Sequence, residues 1–188
     1  RTGKPVNVFA AGDLMINFEL YKDIIKDTLL VVPSRSGNTS EVILAVKQAK
    51  ENFHIPCISV CANKDAKMSE LADLNLEIPW AFDESVCQTR TVTNLYLANL
   101  MFIGIIANDD SLITELGTAI EQGNKLIEKY DATLKSISNM DSWNKVVVLS
   151  DAELEGIAEE GALAFNEICQ LPSNYYHVLD VRHGPMVL

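Results

Sequence analysis

The sequence lacks any cluster of lysine or arginine. With 15 basic against 26 acidic residues and a net charge of −11, it has no patch for the counterion-releasing contacts that bind DNA or RNA, so no nucleic-acid partner is expected. It has no apolar run approaching the roughly 20 residues that span a bilayer, and no charged-then-apolar leader; no membrane partner is expected either. Cysteine is scarce: Cys57, Cys61, Cys87 and Cys169 sit in apolar or helical surroundings, the pattern of reduced thiols in a cytoplasmic protein. Cys57 and Cys61 stand four apart in a strand-like run without a second Cys/His pair at metal spacing, and no metal site is expected. Neither the Walker nor the dinucleotide glycine spacing occurs, so nothing points to ATP or NAD, and no cofactor is expected. Position 1 is Arg rather than Met, and the closing "HGPMVL" reads as the start of an apolar strand; the chain is expected to be a segment of something longer.

What is present is alternation. Four short β-rich runs, at 6–11, 28–34, 56–62 and 74–80, alternate with helical patterns at about 13–23, 39–51, 66–72 and 88–107. Continuous apolar runs of this length, each followed by a helix or turn, are what a parallel sheet covered on both faces produces. The class predicted is α/β, doubly wound. Residues 109–140 keep a helical period with alternating charge and read as a connecting helix. A strand (143–151) and a helix (152–170) then repeat the strand–turn–helix unit about 115 residues on, which predicts a tandem repeat with an unfinished second copy. The expected domains are 1–108, a connecting helix at 109–140, and 141–188.

The turn "PSRSGNTSE" joins a buried strand to a helix. First-turn N–H groups lack intrahelical partners, and the helix dipole directs positive charge there, so an anion fits. Hydroxyls of Ser34, Ser36 and Thr39 add donors, Gly37 permits close backbone approach, and Arg35 adds charge. The same residues equally describe a capped helix start, with Asn38 and Glu41 as a capping box. A second polar island, 83–94, follows the fourth strand. Ligands of open α/β sheets sit beyond the carboxyl ends of the strands, so Glu84, Ser85, Gln88 and Thr89 are expected beside the first turn.

Glu167 and His183 form a third group. At about 100° per residue, Ile157, Gly161, Ala164, Phe165 and Ile168 make one stripe of helix 152–170, with Glu167 at its edge. A half-desolvated carboxylate there would have a raised pKa suited to proton transfer. His183 precedes Gly184 and Pro185, which break the chain and leave the imidazole on a loop.

Together these stretches resemble the SIS (sugar isomerase) domain family. "VPSRSGNTSEV" is similar to its S-x-S-G-x-T phosphate loop, "ESVCQTRTVT" to the turn and helix start after its fourth strand, and "EEGALAFNEI…DVRHGP" to the E-G-A-L-K-x-x-E…H-G-P signature of the second copy in tandem phosphosugar isomerases. The sixteen residues from Glu167 to His183 equal the Glu–His separation in the isomerase half of glucosamine-6-phosphate synthase.

The resemblance implies a three-layer α-β-α sandwich with a parallel sheet, the flavodoxin-like SIS fold. It implies that Ser34, Arg35, Ser36, Asn38 and Thr39 surround a sugar phosphate, with Glu84, Ser85, Gln88 and Thr89 on the remainder of the substrate. It implies that Glu167 shuttles a proton between C1 and C2 and that His183 assists ring opening from the other subunit of a homodimer with a shared active site. The activities implied are aldose–ketose isomerisation, amino-sugar phosphate deamination or fructosamine 6-phosphate deglycation. A non-catalytic sugar-phosphate sensor and a glutamine-dependent synthase remain the alternatives. Arg35 in place of a common Gln, Gln88 in place of Ser, and "VVVLSDAELEGIA" without Gly-x-Gly depart from the synthase. The family's first strand and C-terminal lysine are not in the chain.

Overall fold

The structure, a computed structural model, describes residues 2–140 and 142–187. Its chain divides into two compact units, Arg1–Gln122 and Gly123–Leu188.

In the first unit three parallel strands, β1 (Leu30–Ser34), β2 (Cys57–Cys61) and β3 (Leu74–Glu77), pair in the order β1-β2-β3 with Val32 opposite Ser59 and Ser59 opposite Asn75. Alternate residues of β2 face opposite layers. Cys57 and Cys61 pack with Val46 of α3 (Ser40–Phe53), whereas Val60 packs with Leu95 and Ala98 of α4 (Arg90–Ala107). The sheet is thus covered on both faces, as the three-layer α/β expectation requires. Burial pushes the Cys57 thiol up to about 11, and none of the four cysteines forms a disulfide.

Several sequence expectations change here. The strand expected at 6–11 does not form: residues 2–10 have no regular structure, and Val6 and Val8 are exposed. A strand exists only through a partner's backbone groups, and no described strand pairs with this segment; Ala11 instead opens a helix. The helix expected at 13–23 is two, α1 (Ala11–Ile16) and α2 (Phe18–Ile25). They break at Asn17, whose side chain bonds Asp13 Oδ1 at 2.6 Å. Leu14, Phe18 and Ile25 pack on Ala45 and Ala49 of α3. The helix at 66–72 shortens to a 3-10 turn, Lys67–Glu70. The sequence expectation about apolar runs also needs correction. α4 is 18 residues, long and apolar enough by length and composition to cross a membrane, because its one charged residue, Arg90, stands at its start.

Helix α5 runs Asp110–Ser138, and the division between the units falls within it. Asn108, in the left-handed region at φ 52°, ends α4, and Asp109 Oδ1 accepts the Leu112 N–H at 2.9 Å.

The second unit pairs β4 (Val146–Ser150) with β5 (Ser173–His177) in parallel, Val148 opposite Tyr175. The sequence reading missed β5. Between them a 3-10 turn, Ala152–Leu154, precedes α6 (Glu155–Glu167), so the helix expected at 152–170 is shorter at both ends. Its buried residues are Ala158 and Ala162, not the expected stripe: Ile157 and Ile168 are about half exposed. Small alanines let the helix lie close on a two-stranded sheet, and Asn166 fixes its rotation by exchanging two 2.9 Å bonds with the Ser173 backbone. The chain end expected as a strand is a 3-10 turn, Pro185–Val187, with Leu188 outside the described residues.

Candidate functional site

The carboxyl end of β1 runs into the turn 35–39, which feeds α3. Gly37 N–H donates to Ser34 Oγ at 3.0 Å, and Asn38 N–H donates to Ser36 Oγ at 3.1 Å. Each hydroxyl accepts from the turn's own backbone and keeps its O–H hydrogen to offer elsewhere. Asn63 Nδ2 donates to Ser36 O at 3.1 Å and fixes the turn from the end of β2.

Gly37 has a reason other than the expected approach of a ligand. Its φ is +59°, and a Cβ there would lie 2.4 Å from Ala66 Cβ and 2.9 Å from Cys61 Sγ. The close approach is to the loop after β2, and Gly37 O accepts Met68 N–H at 3.0 Å.

The capping box does not form. Thr39 is the N-cap of α3 without a side-chain cap bond, and Asn38 Oδ1 accepts Lys67 N–H at 2.9 Å instead. Asn38 is one residue too early in the chain to reach the helix N–H groups, and the 3-10 turn at 67–70 takes its oxygen. Among the described residues, the N–H groups of Ser40, Glu41 and Val42 therefore have no acceptor. They stand at the positive end of the helix dipole.

The second polar island does lie beside this turn. Asp83, 8% exposed, accepts N–H bonds from Thr89 at 2.9 Å and Thr91 at 2.8 Å, capping α4 from six and eight residues upstream. Those bonds hold its carboxyl below the ordinary carboxylate value. Thr91 Oγ1 donates to Ala81 O at 2.6 Å and accepts from Asp83 N–H at 3.1 Å. Arg35 Nη1 donates to Ser85 O at 2.6 Å, joining the two turns.

Between them lies a cleft of about 300 Å³ lined by Pro33, Ser34, Arg35, Ser36, Thr39, Val42, Gln88 and Leu95. Of the expected site residues, Ser34, Arg35, Ser36, Thr39 and Gln88 come together here. Asn38, Glu84, Ser85 and Thr89 do not line it: Glu84 and Ser85 are exposed, and Ser85 Oγ donates to Cys87 O at 2.6 Å. Asp83 was missed, although an aspartate ahead of a polar helix start is a capping signal. Arg35 is the one charged residue in the lining, so the cleft pairs neutral donors with one cation, a set suited to an anion.

In the second unit Glu167 closes α6 and His183 closes a 3-10 turn, Asp180–His183; both are exposed. The half-desolvated carboxylate expected at Glu167 is instead Glu160, seven residues earlier. Burial and then the Glu167 charge push its pKa up. Seven residues apart, the two share one face of α6; Glu160 lies within the helix and is partly buried, whereas Glu167 is its last residue and exposed. No group of three or more metal-ligating side chains occurs among the described residues.

The family model described as SIS domain matches residues 2–106. The chain belongs to the SIS domain family. It is 26% identical over 174 residues to glutamine–fructose-6-phosphate aminotransferase [isomerizing] of Wigglesworthia glossinidia brevipalpis, covering 88% of this chain and 28% of that protein. To the same enzyme of Yersinia pseudotuberculosis it is 25% identical over 195 residues, covering 99% and 31%. Among solved structures it resembles glucosamine-6-phosphate deaminase from Thermotoga maritima, with TM-score 0.77 and 26% identity, over 95% of this chain and 54% of that one. It shares its fold with tagatose-6-phosphate ketose/aldose isomerase from Escherichia coli at TM-score 0.86 and 21% identity, over 100% and 52%. The chain thus spans under a third of these curated relatives and about half of these solved chains.

Proposed function

We propose that the protein is a cytoplasmic phosphosugar isomerase, or a deaminase or deglycase of the same chemistry, acting on a sugar phosphate or amino-sugar phosphate. The observation that carries this is the start of α3: three N–H groups without an acceptor among the described residues, next to a cleft lined by Ser34, Ser36, Thr39 and Val42 whose one charge is positive. A dianionic phosphate is a fitting acceptor for donors of this kind.

In this proposal the phosphate is held by the turn 34–39 and the first N–H groups of α3. His183 assists ring opening. Glu167 removes a proton from C1 or C2 and returns it to the neighbouring carbon through an enol or enolamine; in the amine-releasing variants the C–N bond breaks by addition of water. The exposure of Glu167 and His183 leaves them open to a second subunit, in keeping with a homodimer whose active site draws on both copies. The relatives named above act on or form hexose 6-phosphates by their names, which supports that substrate class.

Fructose 6-phosphate, glucosamine 6-phosphate, tagatose 6-phosphate and a fructosamine 6-phosphate are offered to the protein while isomer, ammonia and amino acid are each measured. One of them is expected to turn over, with kcat falling about a hundred- to ten-thousandfold in Glu167→Gln, the usual contribution of a positioned general base. Unchanged turnover in that variant sinks the catalytic role. One observation favours a sugar-phosphate sensor as the second reading: the cleft and its anion donors lie wholly in the first unit. A ligand that raises Tm without any turnover supports it.

A further inference from the structure

Arg35 lines the cleft, yet its guanidinium is engaged with backbone. Nη1 donates to Ser85 O at 2.6 Å and to Val86 O at 3.4 Å, and Cζ lies 5.9 Å from the centroid of the Phe82 ring. All three contacts lie on the loop 82–89, some fifty residues along the chain. We infer that Arg35 is a positioning residue: it straps the loop 82–89 to the carboxyl end of β1 and so fixes where Gln88 stands opposite the turn 34–39.

The two ends of that loop are held by other groups. Asp83 binds the Thr89 and Thr91 N–H groups, and Arg90 Nη2 donates to Phe82 O. Its middle, Ser85–Val86, is exposed, with Val86 almost wholly in solvent, and it is this middle that Arg35 grips. A planar guanidinium suits the task, since it can offer N–H groups to adjacent carbonyls while its face lies over an aromatic ring. The ammonium of lysine cannot do both. The strap leaves the direct phosphate bonds to the hydroxyls and the α3 N–H groups, with Arg35 adding only its charge, and it acts on the part of a ligand that reaches past them to Gln88. The inference rests on the proposed function only for the ligands used to test it.

Arg35→Met keeps the apolar stem and removes the donors. In the ligand-free protein, amide hydrogen exchange over 84–89 is expected to quicken about tenfold or more, the scale of losing a hydrogen bond to a charged group. The Kd for inorganic phosphate is expected to weaken only by the lost charge and to recover in Arg35→Lys, while that for fructose 6-phosphate weakens about tenfold in both variants. A loss of fold alone does not separate the two ligands in this way. Arg35→Lys keeps the charge without the fork; its exchange over 84–89 and its fructose 6-phosphate Kd are expected to resemble those of Arg35→Met, whereas a residue acting only through its charge on the phosphate would be rescued by lysine. Unchanged exchange over 84–89, or parallel weakening of phosphate and fructose 6-phosphate with rescue by lysine, overturns the inference. Should the unsubstituted protein bind neither ligand, the proposed function fails and the exchange result alone decides the strap.

Discussion

Gly37 shows how one residue commits the turn to its path. Its positive φ disfavours any L side chain, and a Cβ would collide with Ala66 and Cys61. Gly37→Ala is expected to cost at least about 2 kcal/mol, read as a lower urea midpoint at unchanged m, and to weaken phosphate binding because the flanking serines move with it. Two carboxylates behave oppositely with pH. Asp83 is held below its ordinary value, so the unfolded chain binds that proton first. Its stabilisation is full above the ordinary carboxylate pKa of about 3.9 and is lost as pH falls through the lower folded value. Asp83→Asn is therefore expected to be less stable than wild type at pH 5 to 7, with the gap closing on acidification; a gap that widens in acid contradicts this. Glu160 is raised, so it favours the folded state only below its unfolded value, and that advantage is lost as pH rises through the folded pKa. Glu160→Gln is expected to raise Tm at neutral pH and not in acid, and NMR titration should find the Glu160 pKa lowered when Glu167 becomes Gln.

At the scale of elements, Asn166 is the clearest case of a polar side chain setting the orientation of a helix. Its amide exchanges bonds with the Ser173 backbone, and Asn166→Ala is expected to cost about 1–2 kcal/mol, measured by denaturant unfolding. The three paired strands of the first unit were legible because β1 and β2 carry mostly apolar runs, and β3 an alternating Leu-Asn-Leu-Glu, between polar turns. Residues 6–11 have the same composition and form no strand, because pairing depends on a neighbour that composition does not report. "SNYYH" was passed over for the opposite reason: its polar and aromatic residues lack an apolar run, yet the parallel partner β4 makes it a strand. The rotation of α6 was misjudged because the apolar periodicity counts large residues, whereas Ala158 and Ala162 carry the contact. The half-buried carboxylate is Glu160 and not Glu167 on the same face, because α6 ends at Glu167 and leaves that side chain exposed. Within the cleft, residue types pointed to Ser34, Ser36, Thr39 and Gln88. The capping by Asp83 and the grip of Arg35 on Ser85 depend on contacts across six and fifty residues.

On the scale of the whole molecule, each unit contains a parallel strand pair and a strand–turn–helix, but the turns differ in chemistry. The first is rich in hydroxyls and has one cation, Arg35, with one carboxylate, Glu41, in the first turn of α3; the second reads Ser150, Asp151, Ala152, Glu153, Leu154, Glu155, with Ala152 at a positive φ of 46°. Three carboxylates at the start of α6 repel an anion that the start of α3 attracts. Only the first turn is therefore expected to take phosphate, whatever the domain history of the second unit. The net charge of −11 adds a long-range repulsion, so phosphate-ester binding is expected to tighten modestly as salt screens the surface.

The central claim is that a phosphate sits at the start of α3, and an NMR titration of the 15N-labelled chain with fructose 6-phosphate and inorganic phosphate tests it most directly. The account predicts that both ligands shift the amides of Ser36 to Val42, most strongly Ser40, Glu41 and Val42, and leave Ser150 to Glu155 unmoved. Saturable shifts elsewhere with Ser40 to Val42 unchanged would contradict it.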